Sequence, residues 1–550
     1  MNKPRHLEYP DCSIYEFLEE NAKSYPTLCA LNYYSREMTY RELLKEIDQA
    51  AKAFVAMGIE KGDAVTICLP NVPQAVISFY AINKIGAIAN MIHPMSAEKE
   101  IIHYLSISKS KVIIALDMVW KKLEGVLGKT EVQHTILVSV KEYMPFSMKL
   151  VYTLAREKKV TVPDAIYNWR SFNELAKKVD KDVHVAGKSN ECAVILYSGG
   201  TTGKPKGIML SNLNFNALAM QGIDGCSDCL YEGARVLSVM PVFHGFGLGV
   251  CIHTVLNFGG MAIILPQFNA AEYDKLLIKY KPNVIAGVPA IYESLIRSTY
   301  IAGKDLSFLT CVISGGDSMA VNTKKKLNEL LANQGSKTTV KEGYGLTECV
   351  TGTCSMPAGS KNLESIGLPY ADMFYMIADP ESGEELPYGE EGEIVMRGPT
   401  VMLGYLNEPE ETANTLRVHK DGHTWLHTGD LGCMDEEGYV YFKQRLKRMI
   451  VSGGYNIYPQ LLEDVICSHE QVVTCAVVGV PDEIMGQKVK AYVVLKKGVT
   501  EQEQVKEELT ERLKQDIAKY ALPREIVFME SLPKTLVGKI AYDELIKGEE

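Results

Sequence analysis

Tyr197-Ser198-Gly199-Gly200-Thr201-Thr202-Gly203-Lys204-Pro205-Lys206-Gly207 is the stretch that decides how this chain is read. It separates two strand-like runs, Ala193 to Leu196 and Ile208 to Leu210. Its four glycines let the backbone aim several amides at one point, as an anion-binding concavity requires. Ser198, Thr201 and Thr202 add hydroxyl donors, and Lys204 and Lys206 add positive charge. A plain polar turn needs none of these, so the stretch reads as a phosphate cradle. It is not a Walker A loop, which needs a hydroxyl directly after Gly-Lys and a helix beyond it. Here Pro205 follows Lys204, has no amide to donate, and leads into a strand.

Upstream, helices and strands alternate. Thr39-Tyr40-Arg41-Glu42 is a capping box, with Leu43, Ile47, Ala50 and Phe54 following at helical spacing until Gly58. Ala64 to Leu69 reads as a buried strand, a helix follows to Gly86, and Ala87 to Asn90 is apolar again. Further strands are predicted at Lys111 to Leu116, Met261 to Leu265, Val284 to Gly287 and Thr310 to Ser314. This is the pattern of an α/β protein with parallel sheets covered by helices. Glycine, glutamate and proline become frequent from about Gly367, which predicts a small β-rich subdomain over about 367–440. The expected organisation is a large N-terminal domain, 1–444, and a small mobile α+β C-terminal domain, 445–550. In the latter, Thr500 and Glu503 are read as a capping box, with Val505, Leu509, Leu513 and Ile517 on one helix face.

Composition sets outer bounds. A chain of 550 residues is too long for one core. A net charge of −10 gives no support for nucleic acid as a partner. The N-terminus lacks an apolar signal-peptide core, and no apolar run reaches the ~18 residues of a membrane span, so a cytoplasmic location is expected. Tyr143 to Lys159 mixes apolar residues with Lys149, Arg156, Lys158 and Lys159. Such a helix suits either a membrane surface, giving peripheral contact at the inner face, or packing on its own domain. Thirteen cysteines are scattered; Cys226-x-x-Cys229 is the one close pair and lacks a second pair, so reduced thiols are expected and no structural metal. No motif specifies an oligomeric state.

Four more motifs follow the loop: Glu342-Gly343-Tyr344-Gly345-Leu346-Thr347-Glu348-Cys349, His427-Thr428-Gly429-Asp430, Gln444-Arg445-Leu446-Lys447-Arg448 with Gly453-Gly454-Tyr455, and Pro533-Lys534-Thr535-Leu536-Val537-Gly538-Lys539-Ile540. In the second motif, glycines beside Tyr344 let an aromatic ring lie on a purine, Thr347 can bond an α-phosphate, and Glu348 offers a hard oxygen to magnesium. Asp430 is a carboxylate suited to ribose hydroxyls.

In this order the five motifs resemble the adenylate-forming (AMP-binding) superfamily. Within it, Glu342 to Cys349, Trp425 to Asp430 and Val537 to Ile540 are most similar to bacterial long-chain fatty acyl-CoA synthetases. The resemblance implies that Ser198, Gly199, Gly200, Thr201, Thr202, Gly203, Lys204 and Lys206 grip the phosphates leaving as pyrophosphate. It places Gly316, Asp317, Glu342, Gly343, Tyr344, Gly345, Thr347, Asp430 and Arg445 around the nucleotide. Lys539, Thr347, Glu348 and His244 are the expected catalytic residues, with Glu348 on Mg2+; the alternative for His244 is a satisfied core histidine. An acyl pocket is expected at His244, Gly245, Phe246, Gly247, Gly315 and Val350, where Gly245, Gly247 and Gly249 would leave room for an alkyl chain. Lys447 is the expected hinge, and Gly453, Gly454 and Tyr455 the expected CoA contacts. Three residues depart from the pattern: Gln444 stands where Gly or Asp is usual, Arg448 where Asp or Glu is usual, and Asp317 where a small apolar residue is usual.

The implied reaction consumes ATP, Mg2+ and CoA: a carboxylic acid becomes an acyl-adenylate and then a thioester. A medium- to long-chain fatty acid is the expected substrate. Alternatives are an aryl or other carboxylate, transfer to an acyl carrier protein, a luciferase-like oxygenation, or a nucleotide-binding pseudo-enzyme.

Overall fold

A computed structural model describes residues 6–155, 163, 166–198, 205–452, 455–482, 485–535 and 539–547. The predicted alternation resolves into two large sheets. In the nine-stranded sheet, Cys29–Tyr33, Met261–Ile264, Arg235–Ser238, Val284–Gly287, Cys311–Ser314 and Val340–Gly345 run parallel in that spatial order. In the eight-stranded sheet, Cys192–Ser198, Ile88–Met91, Ala64–Cys68, Val112–Leu116 and His134–Val138 run parallel. Every residue of Ala64–Cys68 and Val112–Leu116 is buried, which explains why they read as continuous apolar runs and do not alternate.

Local signals act as read at the helix Tyr40–Ala56. Thr39 Oγ1 accepts from the Glu42 amide at 3.3 Å, and Glu42 Oε2 accepts from the Thr39 amide at 2.8 Å. Gly58 ends the segment at φ +82°, a conformation that favours glycine. The helix Pro73–Lys84 is buried at every position and packs on Ile14–Ala22 and Tyr40–Ala56. The main apolar core joins residues of both large sheets around these helices.

The β-rich unit is a five-stranded antiparallel sheet between Phe374 and Arg445. It begins later than composition indicated, because Leu368–Pro369 still pairs with Gly352–Ser355 at the edge of the nine-stranded sheet. After Arg445 a single turn, Leu446–Arg448, leads into Ile450–Ser452, which belongs to a separate C-terminal sheet. That sheet and the helices Pro459–Cys467 and Gln502–Asp516 enclose their own core, including Ile466, Val477, Val493 and Leu509. The capping box expected at Thr500 is not formed. The helix starts one residue later than that reading needs, with Glu501 at the cap position and no side-chain cap bond. Val505, Leu509 and Leu513 are buried as expected, and Ile517, in extended backbone, packs against them.

Candidate active site

Asp430 and Arg445 are register partners on the antiparallel strands Thr424–Met434 and Val440–Arg445. Their separation in sequence is therefore the length of a hairpin, and Arg445 Nε lies 3.5 Å from Asp430 Oδ1. Glu393 on the neighbouring strand fixes the turn before Asp430. Its Oε1 accepts from the Gly429 amide at 2.8 Å and its Oε2 pairs with His427 Nδ1 at 2.8 Å. Gly429 itself sits at φ +70°. Asp430 is buried, which pushes its carboxyl upward, while Arg445 pulls it back. Asp430 Oδ2 accepts from Tyr344 Oη at 2.6 Å, whereas Oδ1 has no hydrogen-bond partner among the described residues. A buried acceptor beside a guanidinium suits a ribose hydroxyl.

The phosphate side is built from elements distant in sequence. Ser198 and Lys206 are register partners on the antiparallel pair Cys192–Ser198 and Lys206–Ser211, at the mouth of the opening loop. Gly199, Gly200, Thr201, Thr202, Gly203 and Lys204 lie outside the described residues. Lys206 pairs with Glu411 and its Nζ stands 5.0 Å from the centre of the Tyr405 ring. Tyr405 Oη donates in turn to Glu348 Oε1 at 2.9 Å. Thr347 and Glu348 occupy a single 3-10 turn, Thr347–Cys349, whose geometry sends Val350 to φ +65°.

Glu342, expected beside the nucleotide, opens the same motif from the strand Val340–Gly345. It is buried, pairs with Lys324 and accepts from the Met319 amide at 2.9 Å, so its carboxylate organises the turn after Cys311–Ser314. Burial raises that carboxyl, and Lys324 opposes the rise. Gly316 in the same turn takes φ +80°, and the exposed Asp317 accepts from the Ser318 amide at 2.9 Å.

Lys539 of the C-terminal unit lies within electrostatic reach of this cluster. Burial lowers the Lys539 ammonium below its ordinary value and Arg445 adds to that, while Asp317, Asp430 and Glu348 act in the opposite direction. The charge of Lys539 also reaches His244, whose pKa falls to about 4, mainly by burial. His244 is therefore neutral at physiological pH, and its Nδ1 accepts from the Phe246 amide at 3.2 Å. Lys447 lies in the turn Leu446–Arg448 that joins the two units. Arg448 pairs with Glu463 at 2.6 Å and covers the Tyr542 ring at 3.7 Å. This unusual residue is thus held within the C-terminal unit. Gly453 and Gly454 lie outside the described residues, and Tyr455 begins the short strand Tyr455–Ile457.

Next to Tyr344 opens a narrow apolar cavity of about 70 Å³. Phe246 and Gly315 line it, together with Leu218, Val236, Phe258 and Val284. Gly245, Gly247 and Gly249, expected to leave room for an alkyl chain, are instead closed in by neighbouring protein atoms. A Cβ on Gly245 would lie 1.6 Å from the Val350 carbonyl oxygen, and one on Gly247 would lie 2.0 Å from that of Pro241. On Gly249 it would lie 2.6 Å from Leu218 Cδ2. These glycines admit neighbouring protein and do not make space for a ligand. His244, Gly245, Gly247 and Val350 are not among the residues lining this cavity.

Sequence reasoning missed Tyr405 and Glu393. Tyr405 reaches Lys206 because Gly404–Tyr405 pairs with Lys206–Ser211, a contact with no local signature. Glu393 looks on sequence like any surface glutamate in a strand, yet it is buried and carries the Asp430 turn.

The Asp430–Arg445 pair, with Tyr344 bonded to Asp430, thus stands beside an apolar cavity that Tyr344 also lines. Residues 18–406 match the AMP-binding enzyme family and residues 461–539 match the AMP-binding enzyme C-terminal domain. The chain belongs to the AMP-binding enzyme family. It is 36% identical to a long-chain-fatty-acid–CoA ligase of Bacillus subtilis (strain 168), over 99% of this chain and 96% of that protein. It is 31% identical to one of Yersinia pestis, over 97% and 94%. Among solved structures, ATP-bound MatB from Rhodopseudomonas palustris superimposes with a TM-score of 0.84 at 25% identity, covering 98% of this chain and 99% of that one. The anthranilate CoA ligase AuaEII with anthranoyl-AMP gives 0.84 at 24% identity, covering 98% of each, and shares the fold.

Proposed function

We propose that this chain is an ATP-dependent carboxylic acid:CoA ligase acting on medium- to long-chain fatty acids. It forms an acyl-adenylate with release of pyrophosphate, and then an acyl-CoA thioester. The observation carrying this reading is the buried Asp430–Arg445 pair, bonded to Tyr344 beside an apolar cavity and within electrostatic reach of Lys539. The curated relatives named as long-chain-fatty-acid ligases support the choice of acid.

A carboxylate oxygen is a poor leaving group; adenylation turns it into an oxygen of AMP. Two anions must meet in that step, and the Lys539 ammonium offsets their repulsion as charge redistributes. Asp430 and Arg445 hold the ribose, Tyr344 lies against the base, and Thr347 bonds the α-phosphate. Ser198, Gly199 to Lys204 and Lys206 hold the departing phosphates. The Mg2+ that accompanies ATP would be held by Glu348, whose Oε1 takes the Tyr405 bond and whose other oxygen is available; the ion supplies charge neutralisation at the phosphates. Neutral His244 serves near the carboxylate as a hydrogen-bonding group without adding charge. Rotation about Lys447 then withdraws Lys539 and brings Gly453, Gly454 and Tyr455 toward CoA, whose thiol attacks the acyl carbon.

Pyrophosphate release measured across acids of increasing length, with and without CoA, tests the reading. Turnover confined to acetate or benzoate overturns the fatty-acid assignment. Thioester formed on a holo-acyl carrier protein but not on CoA replaces the acceptor.

Among the described residues no helix is long and apolar enough to cross a membrane. A peripheral contact is supported by the helix Phe146–Ala155, where Phe146, Leu150, Val151 and Leu154 are all exposed and only Tyr152 is half-buried. Tyr152 packs against the main core, so the helix rests on its own domain by one side chain while Phe146, Leu150, Val151 and Leu154 face outward. Arg156, Lys158 and Lys159 lie outside the described residues. Flotation with anionic vesicles should be lost in Leu150→Ser/Leu154→Ser and weakened by charge reversal at Lys149, Lys158 and Lys159; equal flotation of all forms refutes the contact.

A further inference from the structure

Cys226-Ser227-Asp228-Cys229 ends the helix Asn212–Gly225, and Cys311 opens the strand Cys311–Ser314. The fold brings these three residues together: their Sγ atoms all lie within 4.8 Å of one another, and all three residues are buried. A buried cysteine alone is only a small apolar filler. This group differs because a buried ammonium accompanies it. Lys341 Nζ stands 3.8 Å from Cys229 Sγ and is itself paired with Asp228 at 2.8 Å.

We propose that Cys226, Cys229 and Cys311 form a thiolate site for a zinc-class divalent cation, set in the wall of the apolar cavity. Tetrahedral zinc–thiolate bonds of about 2.3 Å place their sulfurs about 3.8 Å apart, so a shift of about 1 Å or less assembles the site. Three thiolates and Zn2+ leave one negative charge, which the nearby Lys341 ammonium stabilises even though it is already shared with Asp228. Binding releases the thiol protons to solvent and involves no redox change. Three protein ligands leave one tetrahedral position for water. Cys226 borders the cavity, so the ion would tie the end of the helix to the start of the strand and stiffen that wall. This inference goes beyond the proposed reaction and does not depend on it.

The test uses the full chain, prepared with a phosphine reductant and no chelator. Elemental analysis after zinc loading and gel filtration should give one equivalent of Zn2+. Titration of the metal-free chain with Co2+ should give a thiolate-to-cobalt charge-transfer band that saturates at one equivalent. Cys311→Ser should weaken Co2+ binding by more than the about 10–100-fold that loss of an outer-shell partner brings. Cys192→Ser, outside the cluster, should leave it unchanged. Absence of the charge-transfer band in the wild-type chain overturns the proposal whether or not the variant folds, as does equal binding by folded Cys311→Ser.

Discussion

Gly245→Ala perturbs the site through one carbon atom. The added Cβ would stand 1.6 Å from the Val350 carbonyl oxygen and 2.8 Å from its carbon. A carbon–oxygen contact needs about 3.3 Å, so that peptide must retreat by about 1.7 Å. It cannot do so alone. The Val350 amide donates to the Thr347 carbonyl at 3.0 Å, closing the turn that carries Thr347 and Glu348. Val350 is also fully buried and already at φ +65°, which leaves a β-branched residue little freedom to rotate. The strain is that of an overpacked core, about 1–3 kcal/mol. Its larger effect is on chemistry, because a misplacement of about 1 Å in a catalytic group costs about 10²-fold. Carboxylate-dependent pyrophosphate release should therefore fall by about 10²-fold or more while the variant remains folded by circular dichroism. Gly128→Ala, where a Cβ meets nothing within 4 Å, is the control. Full activity in a folded Gly245→Ala chain would refute the coupling between Gly245 and the Thr347–Glu348 turn.

Lys539→Ala should cut adenylation by about 10²–10³-fold, the usual effect of losing one preorganised donor, while thioester formation from supplied acyl-adenylate survives. Equal loss in both half-reactions would contradict the alternating roles of the C-terminal unit. Because burial lowers the Lys539 ammonium, protonated lysine and the adenylation rate should decline together as pH rises, with a midpoint below the ordinary 10.5 that vanishes in Lys539→Arg. His244, at about 4, should give no acid limb near its ordinary 6.5; a limb there that disappears in His244→Asn would show it to be charged. Tyr405→Phe removes the bond to Glu348, a loss of about 0.5–1.5 kcal/mol, and should raise the Mg2+ concentration needed for half-maximal adenylation by a few-fold up to about tenfold. An unchanged Mg2+ dependence would separate Tyr405 from the metal carboxylate.

What sequence revealed follows a physical line. The Thr39 capping box and the buried runs at Ala64 and Val112 are local, and the structure contains them as read. The pairing of Asp430 with Arg445 was legible because the spacing of the two motifs matches one hairpin. What stayed hidden depends on contacts between distant segments. Cys311 joins Cys226 and Cys229 only after the sheet forms, and Tyr405 meets Lys206 only through strand pairing. The glycines near His244 show a second limit: a missing side chain looks the same whether it makes room for substrate or for a neighbouring carbonyl. Thr500 shows a third, since a capping pair in sequence stays unused when the helix starts one residue later.

The bond between Tyr344 Oη and Asp430 Oδ2 bears on how the enzyme lets go. Without nucleotide, this carboxylate oxygen already has a donor from within the protein. A ribose hydroxyl bonding the unpaired Oδ1 adds a hydrogen bond, whereas one that takes the place of Tyr344 at Oδ2 only exchanges one bond for another. Two of the three phosphates depart as pyrophosphate in the first half-reaction. AMP is left held at an end where tyrosine can reclaim the oxygen. Turnover would be protected from product inhibition by a residue that competes with the product for its own site.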